Sequence, residues 1–394
     1  MKRLMSNNIE IQGICEERFE PVKQVFAEHF KTGQDVGASF AVTIDGKFVV
    51  DIWAGYADAD KTRPWEKDTI VNVWSTTKVM TALCVHILID RGLVDLDAPV
   101  SKYWPEFAQA GKENIPVRYL LSHNSGMAGY DEKITLEDLY DWDLIVNKLA
   151  AQKPWWEPGM HSGYHTTSFG YLLGELIRRV TGKTLGKFFQ EEVAKPLNID
   201  FHIGFSEEID PRVADLIPLK KNLFYRLMTS KFVKFLLRNK MIIKSSFNPI
   251  VTGLDGNTRA WRAAEIPASN GHGNARSIAK VGAILACGGE IDNIRLLSTK
   301  TVDNSIEEQS YGKDLVSIKI IRWGLGWALT CEEDPIGPNP QVFTWGGLGG
   351  SKLIMDLDAR MSAAYAMNKM FFSLKGKPRA EKLMTTLYEC LYPK

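Results

Sequence analysis

Val73-Trp74-Ser75-Thr76-Thr77-Lys78-Val79-Met80 separates a strand-rich first segment from a long apolar helix pattern, predicted to run from Ser75 to Arg91. Side chains three residues apart share a helix face, so Lys78 is expected beside the Ser75 hydroxyl in the first turn. A serine hydroxyl alone is a poor nucleophile at neutral pH. A lysine amine held against it and stripped of water is biased toward its neutral form and can take its proton. A helix start adds unpaired backbone N–H groups and the positive end of the helix dipole, both suited to a developing oxyanion. The same letters also describe a helix cap followed by a solvated lysine, and the tetrad alone does not separate the two readings.

On the N-terminal side, Ala38–Ile44 and Lys47–Trp53 flank Asp45-Gly46, the turn signal of a tight hairpin. An amphipathic helix is expected over residues 14–31, with Phe19, Val22, Val25, Phe26 and Phe30 on its apolar face. On the other side, Val79, Leu83 and Ile87 keep helical spacing up to Arg91-Gly92, where glycine suits a left-handed cap. Helix patterns follow at about 136–151, 166–181 and 184–195, with no comparable strand signal. Helices return at 276–287 and 299–306. Strands are then expected at 324–330, 341–344, 352–356 and 361–367, before a closing helix over 380–390. Consecutive hairpins imply an antiparallel sheet. The fold class is α+β, an α/β-type sandwich: residues 1–78 and 255–394 form a sheet flanked by helices, and 79–254 a mostly helical insertion.

A chain of 394 residues, 45% of them hydrophobic, is long enough for two cores. A net charge of +1 gives no reason to expect a nucleic-acid partner. Five scattered cysteines without a C-x-x-C pair point to reduced thiols, and no signal peptide or membrane-spanning run is evident, so a cytoplasmic location is expected. No cofactor or metal is expected either. There is no H-E-x-x-H, and the seven histidines are dispersed. A G-x-S-x-G elbow is absent as well, which removes the ordinary α/β-hydrolase route.

Two further stretches carry candidate chemistry. Trp156–Thr167 is a Pro/Gly-punctuated loop ending in Tyr164 just before a helix. A tyrosine there, its pKa lowered by a nearby ammonium, could act as general base or relay protons with Lys78; a core tyrosine with a satisfied hydroxyl is the alternative. Phe343-Thr344-Trp345-Gly346-Gly347-Leu348-Gly349-Gly350-Ser351 breaks a strand with four glycines. That suits close approach to the backbone, as in an oxyanion pocket, and suits a simple bulge equally.

Ser75-x-x-Lys78, then Tyr164, then a glycine-rich strand resemble the serine β-lactamase and penicillin-binding-protein superfamily in order and spacing. Leu120-Leu121-Ser122-His123-Asn124-Ser125-Gly126 is similar to its L-L-[ST]-H-x-[ST]-G loop, and Leu93–Val100 to its L-D-x-P-V stretch. Within the superfamily the match is to the class C-like esterase branch, the family VIII carboxylesterases, which commonly carry W-G-G where β-lactamases carry K-T-G; here Trp345-Gly346-Gly347 stands there. The resemblance implies a β-lactamase/transpeptidase-like fold. It also implies an acyl-enzyme on Ser75, with Lys78 and Tyr164 handling the proton and the N–H groups of Ser75 and Leu348 holding the oxyanion. Trp345, Gly346 and Gly347 would line the pocket. Two departures point away from penicillins: Thr166 replaces the asparagine of Tyr-x-Asn, and Trp345 replaces a lysine suited to a substrate carboxylate.

The expected activity is therefore hydrolysis of small short-acyl esters, with weak cephalosporin turnover by analogy. A D-amino-acid peptidase, amidase or acyltransferase of the same fold is the alternative, and a non-enzymatic relative a further one. Short chains are expected because Trp155, Trp156, Trp323, Trp327 and Trp345 would crowd a cleft. A His161 or His165 base for the serine is a competing idea. Finally, Leu216–Leu254 has no acidic residue, and its lysines and arginines alternate with leucines and phenylalanines. That is the pattern of a docked amphipathic helix, or of a flap over the cleft with weak affinity for a membrane surface.

Overall fold

A computed structural model of the chain describes residues 9–218, 238–371 and 379–393. Most of the basic stretch expected to form a helix or flap falls at 219–237 and so lies outside the described residues.

The Asp45-Gly46 turn folds as its letters require: both residues take positive φ, 51° and 77°, and join β2 (Gly37–Ile44) to β3 (Lys47–Gly55). β1 (Gln12–Cys15) adds to the outside of β3, so the segment expected to begin a helix near residue 14 begins as an edge strand. Its first helix, α1, is Glu20–Lys31. The C-terminal part supplies β4 (Ser310–Lys313), β5 (Ile320–Trp323), β6 (Ala328–Leu329), β7 (Val342–Gly346), β8 (Lys352–Asp356) and β9 (Met361–Met367). Together they make one antiparallel sheet in the order β1-β3-β2-β9-β8-β7-β6-β5-β4. The strand expected over 324–330 is shorter, because Gly324–Gly326 turns the chain between β5 and β6.

β2 and β9 lie mid-sheet and are buried on both faces, hence their unbroken apolar runs. On one face Phe19, Val22, Phe26 and Phe30 pack with Phe40, Val42, Val50 and Ile52, joined by Leu383 and Leu387 of the last helix, α6 (Arg379–Leu391). Each such side chain contributes about 1.5–3 kcal/mol by leaving water. On the other face lies α5 (Ala275–Ala286). A Cβ at its Gly282 would sit 2.2 Å from Ser362 Oγ, so only glycine lets the helix lie this close to the sheet.

Between β3 and α5 the chain is mostly helical. Its central helix, α2 (Thr77–Asp90), is buried around its whole circumference from Thr77 to Leu88 and ends at Gly92 with φ 69°. α3 (Ser168–Thr181) packs beside it. One continuous apolar cluster joins these helices to the α5 face of the sheet. Among the described residues no helix is long and apolar enough to cross a membrane.

Candidate active site

The turn carrying Ser75 is not the first turn of the α-helix. Trp74–Thr76 form a 3-10 turn, and α2 starts at Thr77. Trp74 enters it with φ 49°, an unfavourable value for a bulky residue, which requires support from its surroundings. That support is visible. The Thr77 hydroxyl donates to the Trp74 carbonyl at 2.5 Å and accepts the Gly271 N–H at 2.9 Å, while the Trp74 ring packs on Trp261. In a 3-10 turn residues three apart eclipse, so Ser75 and Lys78 still share a face.

Lys78 Nζ lies 3.3 Å from Ser75 Oγ, 2.7 Å from the Thr166 carbonyl and 3.0 Å from the Ala268 carbonyl. None of these partners is a carboxylate, and burial holds the lysine well below its ordinary pKa. A neutral amine has two hydrogens and one lone pair. In that neutral form the two carbonyls would take the hydrogens and turn the lone pair toward the serine hydroxyl. From the other side Tyr164 donates its O–H to Ser75 Oγ at 2.7 Å. The expectation of a lowered phenol pKa is overturned: burial raises it, outweighing the bond to Ser75. The arrangement is a phenol held protonated by burial, an amine that burial biases toward its neutral form, and a hydroxyl between them.

The glycine-rich segment packs against the same turn. β6 pairs with β7 at Phe343 and Thr344, and among the described residues the far end of β7 has no strand partner on that side. A Cβ on Gly347 would stand 2.1 Å from the Val73 carbonyl oxygen, so what approaches this backbone is the segment leading into Ser75. Ser351 Oγ fastens the two, donating to the Val73 carbonyl at 2.8 Å and lying 3.0 Å from Thr76 Oγ1. Among the described residues neither the Ser75 nor the Leu348 N–H has a backbone partner.

A model of the beta-lactamase family matches residues 22–384. The chain belongs to the beta-lactamase family. It is 34% identical to the Esterase/beta-lactamase LipL of Mycobacterium tuberculosis over 364 residues, 92% of this chain and 84% of that protein. Among solved structures it resembles a family VIII carboxylesterase, at 43% identity and a TM-score of 0.89, over 97% of this chain and all of the other. It also resembles a penicillin-binding protein homologue from Caulobacter crescentus, at 35% identity and a TM-score of 0.85, over 97% of this chain and 100% of that one.

Against the beta-lactamase family pattern, both departures have visible surroundings. The Thr166 hydroxyl is 2.9 Å from Ser245 Oγ on α4 (Lys240–Ser246), and Ser245 also donates to the Tyr164 carbonyl at 3.1 Å. Trp345 packs on Tyr164 with ring centroids 5.2 Å apart, and on Trp323 at 5.0 Å. Of the other tryptophans expected at a cleft, Trp327 stacks on His86 in the core, and Trp155 pairs its indole with Asp131 at the surface.

The histidine alternative fails. His165 Nε2 is bonded to Ser125 Oγ and Nδ1 to the Gly163 carbonyl; its pKa falls to about 3 by burial, and His161 is exposed. Two supports stand behind Tyr164: His123, from the Leu120–Gly126 loop, whose role the motif did not reveal, and Asp314, which carried no signal in the sequence. His123, with φ 62°, accepts the His165 N–H on Nδ1 and packs edge-on to Tyr164. Asp314, fully buried, accepts the Tyr164 N–H at 3.1 Å together with those of Val316 and Ser317. Among the described residues no three His, Cys, Asp or Glu side chains are grouped to hold a metal.

Proposed function

We propose that this chain is a serine carboxylesterase that hydrolyses small short-acyl esters through an acyl-enzyme on Ser75. The observation that carries the reading is the Ser75 hydroxyl held 2.7 Å from Tyr164 Oη and 3.3 Å from a buried, desolvated Lys78 amine. Ser75 Oγ attacks the ester carbonyl and its proton passes to the Lys78 lone pair. The oxyanion sits on the N–H groups of Ser75 and Leu348, in a pocket bordered by Trp345, Gly346 and Gly347. Collapse expels the alkoxide, which takes a proton from the Tyr164 hydroxyl as Lys78 replaces it. Water then attacks the acyl carbonyl as the same pair takes its proton, and collapse of the second intermediate releases the acid while that proton returns to Ser75 Oγ.

Neutral esters fit because Trp345 stands where a cation would hold a substrate carboxylate, and the family VIII likeness supports the same conclusion. The Thr166 hydroxyl is engaged by Ser245, so it lacks a free amide's reach toward a lactam side chain. Weak cephalosporin turnover remains part of the proposal, in line with the LipL likeness. Steady-state rates on p-nitrophenyl acetate, a p-nitroanilide and a chromogenic cephalosporin test it. The ester is expected fastest by orders of magnitude, and a faster anilide would identify an amidase instead.

Three further points belong to the proposal. The chain divides into 1–78 with 255–394, and 79–254, so the candidate site draws on both parts. The basic stretch Leu216–Leu254 gives the chain weak affinity for anionic membrane surfaces, supported by its lack of acidic residues; failure to sediment with anionic vesicles at low salt would end that part. The compartment is the cytoplasm, supported by five cysteines that are all unpaired.

A further inference from the structure

Arg379, the first residue of α6, is 2% exposed and faces the fully buried carboxylate of Asp35. A buried ion pair is costly unless its remaining donors and acceptors are satisfied. Asp35 is saturated: Tyr365 Oη lies 2.7 and 2.6 Å from its two oxygens, and His29 Nδ1 lies 3.2 Å away. The remaining Nη hydrogens of Arg379 go to backbone, while its buried Nε–H has no partner among the described residues. Nη1 donates to the Gln34 carbonyl at 2.6 Å, and Nη2 to the carbonyls of Lys369 at 2.5 Å and Gly349 at 3.2 Å.

The Gly349 carbonyl is the one of consequence. It belongs to the Gly349–Gly350 peptide, whose N–H donates to the Gly347 carbonyl at 3.1 Å. That carbonyl in turn belongs to the peptide whose N–H is that of Leu348. Two peptide groups are thus joined head to tail, with the guanidinium and the Phe371 N–H (3.0 Å) sharing the Gly349 carbonyl at one end and the Leu348 N–H at the other. Gly349 and Gly350 have φ of 89° and 122° and bring no side chains to hold the turn themselves.

We infer that Arg379, held by Asp35, is a positioning residue that orients and polarises the Leu348 N–H through these two linked peptides. The inference rests on the proposed role of Leu348 toward the oxyanion. A cation at the head of a hydrogen-bonded chain draws electrons along it and strengthens each successive donor, by about 10–30% per bond. An oxyanion donor is worth about a hundredfold or more in kcat, so weakening but not deleting it predicts a loss of about 5–20-fold. KM should change by less than about twofold, because the effect grows with charge on the oxygen.

The test uses the full-length enzyme and its Arg379→Gln and Arg379→Lys variants. Rates are measured on p-nitrophenyl acetate, and the ester carbonyl of the acyl-enzyme is recorded by isotope-edited infrared spectroscopy. Arg379→Gln is expected to lower kcat as above and move the acyl carbonyl band to higher frequency, with Arg379→Lys between it and wild type. A lower melting temperature with kcat and band unmoved would overturn the inference and leave Arg379 as an anchor for α6. Should Arg379→Gln not fold, the band position in Arg379→Lys decides on the same terms. Failure of the underlying reading looks different: wild type would give no acyl band, or one that survives Ser75→Ala.

Discussion

Gly347→Ala adds one methyl group where the glycine-rich segment meets Val73, just before Ser75. The added carbon would lie 2.1 Å from the Val73 carbonyl oxygen and 2.4 Å from Ser351 Oγ, against an ordinary contact of 3.4 Å or more. The shortfall is about 1.3 Å, and a serine rotamer cannot absorb it because the close atom is backbone. The Val73 carbonyl is itself pinned, accepting from Ser351 Oγ and the Thr76 N–H. Overpacking of this kind costs about 1–3 kcal/mol of stability. Its larger effect falls on chemistry: a misplacement of about 1 Å between reacting groups costs about a hundredfold. Since Gly347 immediately precedes Leu348, kcat on p-nitrophenyl acetate should drop about a hundredfold, nearly 3 kcal/mol of barrier, with a modest fall in melting temperature. Leu348→Ala is the control. Its side chain is 46% exposed and only its N–H is invoked, so kcat should stay within about threefold of wild type. Gly347→Ala retaining full kcat would refute the claim that this edge positions a catalytic N–H.

Tyr164→Phe deletes the 2.7 Å bond to Ser75 Oγ and should lower kcat by about 10²–10⁴-fold with KM little changed; activity within tenfold of wild type would leave Lys78 acting alone. Because the reaction needs neutral Lys78, kcat/KM should show an acid limb at the depressed lysine pKa, and no dependence on that group above it. The stability linkage has a definite sign. The unfolded lysine keeps its proton to about pH 10.4 while the folded one loses it lower, so between the two values the unfolded state binds the extra proton and stability rises with pH. Lys78→Met should remove that slope from urea melts while abolishing activity; an unchanged slope would mean that the lysine is charged in the fold. Treatment with a chelator should leave ester hydrolysis intact, and loss of activity restored by a divalent metal would contradict the serine mechanism.

Much of this arrangement was legible in the letters, for reasons that differ by residue. Asp45-Gly46 announces its hairpin because two consecutive positive φ values suit very few residue pairs. Ser75 and Lys78 are three apart on one turn, a local relation that survives the change from α to 3-10 geometry. β1 was hidden because an edge strand exposed on most sides carries no burial alternation. The protonated state of Tyr164 was misread because its pKa depends on enclosure by Trp345, Trp323 and His123, residues far apart in the chain. Main-chain carbonyls have no sequence signature, so the two that orient the Lys78 amine, from Thr166 and Ala268, could not be anticipated. Asp314 was unreadable for a related reason, since it reaches Tyr164 through a backbone N–H across 150 positions.

The central claim is that Ser75 carries the acyl group. Intact-mass measurement after rapid acid quench of the enzyme with a p-nitrophenyl ester, followed by peptide mapping, addresses it most directly. One acyl group on the peptide containing Ser75, absent from Ser75→Ala together with ester hydrolysis, is the predicted result. An adduct on another residue, or undiminished hydrolysis by Ser75→Ala, would contradict the account.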